Sequence, residues 1–216
     1  MPAVDLRSAL CETGRSLFER GYAHSTAGNI SCRLDDGSFL ITPTDACLGR
    51  LDPDRLAWVS AQGEPLGGDR ASKTLALHRR IYDNAPDARC VIHTHSTHLV
   101  ALTLQGVWRQ DDILPPLTPY QVMKVGHVPL IPYHRPGDPA VADALVERLR
   151  SAPRPFNAVM IDRLGPTVWH HHLGAAMALL EELEETARLW LLSARQAPPL
   201  TDDQIEELRQ HFHAPW

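Results

Sequence analysis

Apolar residues recur at helical spacing in several stretches of the chain and collect in short continuous runs in others. From Val4 to Arg20, Leu6, Leu10, Leu17 and Phe18 predict one helix with a buried stripe, and Gly21 is placed to stop it. A polar loop, His24 to Asn29, leads into a predicted strand over Ile30 to Leu34. Asp35-Asp36-Gly37 is a hairpin turn, Phe39 to Thr42 the returning strand, and Leu56 to Ser60 a third short strand. Ser72 is placed to cap a helix reaching Asn84, with Leu77 and Ile81 on its inner side. Cys90 to His95 is a β-rich run, followed by an apolar helix over Thr97 to Gln105. Leu114 to Pro136 carries six prolines and predicts an ordered loop around one strand, Val128 to Ile131. Asp138 and Pro139 open a helix to Arg150. Strands over Ala158–Asp162 and Thr167–Trp169 precede the clearest helix, Leu173 to Ser193, and a last one from Asp202 to His211. Strands and helices so intermixed, with early hairpins, predict a layered α/β domain whose sheet is at least partly antiparallel.

Composition narrows the function classes. The 216 residues are 44% hydrophobic and 22% charged, which suits one folded domain over residues 1–216 and excludes disorder as the main state. No apolar run approaches the ~18 residues of a membrane span. A net charge of −5 offers no basic field for nucleic acid or an anionic membrane. The stretch Met1 to Arg7 lacks the basic and apolar segments of a leader, and four scattered cysteines (Cys11, Cys32, Cys47, Cys90) read as reduced thiols. The expected location is cytoplasmic.

Two groups of residues carry candidate chemistry. His93-Thr94-His95 places two imidazoles on one side of a strand, a pair suited to a divalent cation such as zinc, although three or four ligands are needed. The loop Ser25-Thr26-Ala27-Gly28-Asn29, with Thr42-Pro43-Thr44 and Ser72-Lys73, offers hydroxyls, an open glycine amide, a helix N-terminus and an ammonium group for a phosphate, with Asp45 opposing. His170-His171-His172 reads as a solvated turn. Glu181 to Glu185 reads as the charged face of an exposed helix with Leu183 turned inward.

Thr26-Ala27-Gly28-Asn29-Ile30-Ser31, Leu40-Ile41-Thr42-Pro43-Thr44, Ser72 and His93-x-His95 resemble the class II aldolase/adducin family in order and spacing over nearly the whole chain. Leu48 to Leu51, Thr118-Pro119-Tyr120, Pro132 to Pro139 and Glu181 to Ala187 resemble its branch that decarboxylates 3-oxo-tetronate 4-phosphates. The resemblance implies a three-layer α/β/α domain with a mainly antiparallel sheet, and a homotetramer with active sites between subunits. It also implies a divalent metal, zinc or another such as manganese, and a small phosphorylated sugar acid as substrate, with no nucleic acid or membrane partner. Gly28, Asn29, Thr44, Ser72 and Lys73 are the phosphate-binding candidates, His93 and His95 the metal ligands. Lys73, as counter-ion or acid, Thr74 and Tyr120 are the catalytic candidates. Two positions depart from the family pattern: its acidic residue falls on Thr74 and its third histidine on Leu164. Three accounts follow. His134, or His127 from a neighbouring subunit, completes the metal sphere; the metal is held largely by substrate and water; or the chain is a catalytically inactive scaffold. A sugar-phosphate aldolase of fuculose or ribulose phosphate type is the other enzymatic alternative.

Overall fold

The computed structural model describes residues 3–216, with side chains described from Leu6 onward; Met1 and Pro2, which open the stretch read for a leader, lie outside them. Helix α1 (Ala3–Glu19) precedes β1 (Asn29–Arg33) and β2 (Phe39–Ile41), and two single 3-10 turns lead to β3 (Ala57–Val59) and β4 (Pro65–Gly67). Then come α2 (Leu75–Asn84), β5 (Cys90–His93) and α3 (Thr97–Gln105). A π-helical turn over Gln121–Val125 and β6 (Leu130–Ile131) occupy the proline-rich stretch, followed by α4 (Ala140–Ser151). β7 (Ala158–Ile161), β8 (Gly165–His170), α5 (Leu173–Leu192) and α6 (Asp202–Phe212) complete the order.

Among the described residues, eight strands form one sheet in the order β4-β3-β2-β1-β5-β8-β7-β6. Every pairing is antiparallel except β6 with β7. Alternation along the strands divides the apolar side chains between two faces. Ile30, Cys32, Cys90, Ile92, Met160 and Val168 join Leu10, Leu17, Leu99, Leu102 and Leu180 in the cluster under α1, α3 and α5. Val91, Val159, Ile161 and Trp169 face the other way and pack with Ile81, Tyr82, Val141 and Leu145 of α2 and α4. The three-layer, mainly antiparallel α/β architecture expected from the sequence is therefore present.

Several local expectations are corrected. Phe18 is 36% exposed, lying at the edge of the α1 stripe against Gly49, whose missing Cβ leaves room for its ring. The inner face of α2 is His78, Ile81 and Tyr82, with Leu77 only half-buried. β4 gave no sequence signal because it is an exposed edge strand with no apolar face to bury. The acidic run of α5 is not wholly solvated. Glu184 is 3% exposed, and its carboxylate accepts from His98 N at 2.9 Å and Leu99 N at 3.1 Å. The α3 N-cap, Ser96, makes no side-chain capping bond, so a residue 86 positions away caps that helix. His170-His171-His172 does form a strand end and turn, with His172 Nδ1 accepting from Ala175 N at the start of α5.

Candidate active site

β1 and β5 are neighbours in register, with Asn29 opposite His93 and Ser31 opposite Val91. Cross-strand partners share a face, so the phosphate-loop asparagine and the first candidate metal histidine stand side by side on the α2 face of the sheet. Asn29 is buried, and its Oδ1 has no hydrogen-bond partner. The loop before it lies directly on the end of β5. Gly28 adopts φ +89°, and a Cβ there would come 2.9 Å from the His93 carbonyl oxygen, so only glycine allows this approach.

The rest of the phosphate candidates assemble at the same end of the sheet. Thr42 N donates to Ile30 O at 3.0 Å, and Thr42 Oγ1 accepts from Ile30 N at 3.2 Å. Ser72 N donates to Thr42 O, Pro43 bridges Ala71, and Thr44 N donates to Arg70 O. These bonds tie Ser72 to the strand-end segment, and the helix starts beyond it. The α2 N-cap is Thr74, not Ser72 as the sequence suggested, and the Ser72 hydroxyl instead bonds Thr74 Oγ1 at 2.9 Å. Asp45 is exposed, in a left-handed turn at φ +57°.

His93 ends β5 and is 4% exposed; its Nδ1 lies 2.9 Å from Pro166 O and 3.0 Å from Thr167 Oγ1. A carbonyl requires a donor, so Nδ1 carries the proton and Nε2 keeps its lone pair, the tautomer a metal ligand needs. Burial, then the neighbouring His95, pushes the His93 imidazole down to about 3, against the pull of the Pro166 carbonyl. Burial, then His24, also lowers His95. Both rings are thus neutral at physiological pH. Their centroids lie 5.2 Å apart at 74°, the separation expected of two imidazoles sharing one tetrahedral ion with bonds of about 2.0–2.1 Å.

A cavity of about 310 Å³ is lined by Lys73, Thr74, His93, Arg135 and Leu164. A larger one of about 510 Å³ lies elsewhere, among Glu12, Cys32, Cys90 and His172, and holds none of the candidates, so the smaller is the one that matters chemically. Lys73 is exposed and no salt bridge among the described residues engages it. Tyr120 is 58% exposed, with the Lys124 ammonium 5.2 Å from its ring, and does not line the cavity. His134 is half-buried, and among the described residues no three histidine, cysteine or acidic side chains converge on one point. The chain by itself therefore does not join His134 to His93 and His95.

Two residues near the site went unread in the sequence. His78 is wholly buried; its Nδ1 lies 2.7 Å from Ser31 Oγ, its Nε2 has no partner, and burial with His93 nearby pushes it down to about 3. The available signal was its place three residues before Ile81 on an inward helix face, where a polar residue needs a reason. His24 opens the small-residue loop, and its ring centroid lies 6.3 Å from that of His95.

Comparison with known proteins agrees with this geometry. The family model described as the class II aldolase and adducin N-terminal domain matches residues 8–191. A 3-oxo-tetronate 4-phosphate decarboxylase of Cupriavidus necator is 56% identical over 98% of this chain and 97% of its own length. One from Escherichia coli is 44% identical over 94% of this chain and 95% of its own. The crystal structure of YgbL from Klebsiella pneumoniae superposes with a TM-score of 0.89 at 44% identity, covering 97% of this chain and all of that one. With the mainly antiparallel sheet and this family match over most of its length, the chain belongs to the class II aldolase and adducin N-terminal domain family.

Proposed function

We propose that this protein is a carbon–carbon lyase that decarboxylates a 3-oxo-tetronate 4-phosphate to dihydroxyacetone phosphate and CO₂. The observation that supports the reading is the cross-strand pairing of Asn29 with His93, which sets the candidate phosphate-binding residues beside a pair of neutral imidazoles. The decarboxylases of like length and up to 56% identity favour this substrate over that of an aldolase. Gly28, Asn29, Thr44, Ser72 and Lys73 grip the phosphate, fixing the remote end of the substrate and orienting the bond that breaks. The unpartnered Asn29 Oδ1 accepts from a substrate hydroxyl. His93 and His95 fit a divalent cation, zinc or manganese, which when bound would stabilise charge collecting on the ketone oxygen. As CO₂ leaves, the electron pair of the broken C–C bond delocalises onto that oxygen, and an acid then returns a proton to carbon. Tyr120 serves that role across an interface between copies in a homotetramer, while Lys73 at the cavity holds the phosphate and Thr74 beside it bonds through its hydroxyl. A single domain over residues 1–216 and a cytoplasmic location complete the reading. No helix among the described residues is long and apolar enough to cross a membrane.

One observation favours a second reading. Thr74 and Leu164 line the cavity where the family pattern places an acid and a histidine, as expected of a chain that keeps the fold and binds phosphorylated ligands without turning them over. Untagged protein given zinc or manganese and a 3-oxo-tetronate 4-phosphate distinguishes the two. CO₂ release with stoichiometric dihydroxyacetone phosphate, lost by at least about 100-fold in the His93→Asn, His95→Asn double variant, is the expected result. No release from the metal-loaded wild type would overturn the decarboxylase reading.

A further inference from the structure

We propose that Cys32 and Cys90 form a dithiol that hydrogen peroxide oxidises to a disulfide, a modification site separate from the cavity at Lys73 and His93. The proposal holds whichever reaction that cavity performs. Cys32 of β1 and Cys90 of β5 are direct cross-strand partners, and their sulfurs lie 3.0 Å apart. Next to them Arg33 N donates to Arg89 O at 2.7 Å, so Arg33 with Arg89 is a hydrogen-bonded pair and Cys32 with Cys90 a non-hydrogen-bonded one. The Cα atoms of such a pair stand about 4.5 Å apart, within the range of about 4.4–6.8 Å that a disulfide spans. The register of the sheet therefore already suits the bond, and no strand has to slide to make it.

Both thiols are free and buried, on the face packed by α1 and α5. They line the cavity of about 510 Å³ that Glu12, Thr13 and His172 also border. Hydrogen peroxide, uncharged and little larger than water, reaches them there. One sulfur, as thiolate, attacks a peroxide oxygen; the O–O bond breaks, and the departing hydroxide takes up that thiol's proton as water, leaving a sulfenic acid. The other sulfur attacks the sulfenic sulfur, the S–O bond breaks, and hydroxide leaves with the second thiol's proton as a second water. The two thiols together lose two electrons and the peroxide gains them. The Cys90 hydrogen bond, then burial, holds the Cys32 thiol well above its ordinary value, so the first step is slow and calls for an excess of peroxide. The second step is fast because the partner sulfur is already in contact. Among the described residues neither Cys11 nor Cys47 has another sulfur within hydrogen-bonding distance, which makes them internal controls.

The test treats full-length wild-type protein with millimolar hydrogen peroxide, removes the excess with catalase, and unfolds the protein in N-ethylmaleimide before peptide mass spectrometry. A Cys32–Cys90 linked peptide should replace the two alkylated ones, and reduction with a phosphine before alkylation should restore both. The linked protein should keep its circular dichroism spectrum and unfold at least about 4 °C above the same sample after reduction, because the bond closes the chain between Cys32 and Cys90. Cys32 and Cys90 that remain alkylated while Cys47 is oxidised, or that end as separate sulfinic acids, overturn the proposal. A linked pair with a lost spectrum or a lowered unfolding midpoint overturns it as well, because the bond would then be forced on the sheet.

Discussion

His78 is an imidazole sealed between α2 and the sheet and bonded through one nitrogen to Ser31. Burial holds it down to about 3, so it is uncharged throughout the neutral range, whereas in the unfolded chain it titrates near 6.5. Between those values the unfolded state binds the extra proton. The stability that depends on a neutral His78 is complete above pH 6.5 and drains away as pH falls toward 3. The midpoint of thermal unfolding should therefore drop as pH is lowered from 7 to 5, and His78→Gln should flatten that slope. An equal slope in the variant would remove His78 as the cause. Asn29 makes a second prediction at this scale. Asn29→Ala should raise KM for the phosphorylated substrate by at least about 10-fold, with a smaller effect on an unphosphorylated analogue, because the bond its Nδ2 donates to the phosphate is charge-assisted and the one its Oδ1 accepts from a hydroxyl is not. Equal effects on both would remove Asn29 from the phosphate clamp. The candidate loop before β1 and the pair His93-x-His95 could be picked out in the sequence because a run of small polar residues and two close-spaced histidines stand out from the apolar runs around them. His78 and His24 were not, because a lone histidine in sequence says nothing about which pocket it enters.

Among the elements, helix α3 matters beyond its packing, because it begins two residues after His95. Its first turn is capped by Glu184 of α5, which also bonds the His98 ring at 2.8 Å. Glu184→Ala should cost about 2–4 kcal/mol in denaturant unfolding, since it strands two backbone N–H groups in a buried position. Glu184→Gln should cost less, because its single carbonyl oxygen can still accept one of them. A loss below 0.5 kcal/mol, on the order of an ordinary surface change, would show that solvent caps the helix instead. In the sequence this glutamate is one of four in five residues, and nothing local separates it from its exposed neighbours. The helices themselves were legible from periodicity, with ends misplaced by a few residues where tertiary bonds intervened, as at Ser72.

At the scale of the molecule, the proline-rich segment leaves Tyr120 58% and Tyr133 62% exposed. Large aromatics held on an ordered loop suit burial against another copy of the chain. Four chains of 24.0 kDa should sediment as a species of about 96 kDa, and Tyr120→Ala should weaken that species more than it changes monomer stability. A 24.0 kDa species at micromolar concentration would exclude the tetramer and the shared active site with it.

What the sequence by itself determined is whatever depends on short-range periodicity and local chemistry. The apolar runs that become β1, β5, β7 and β8 were readable, as were the turn at Asp35-Asp36-Gly37 and the small-residue loop with its glycine at Gly28. Only the tertiary structure decided which distant segments meet. Hydrogen bonding between β1 and β5 put Asn29 opposite His93, the close approach of Gly165 to Thr94 fixed the flank that carries Leu164, and the turn at His24 came to rest beside His95. Strand register and loop docking are set by the burial of whole faces, a property of the assembled sheet that no stretch of chain contains alone.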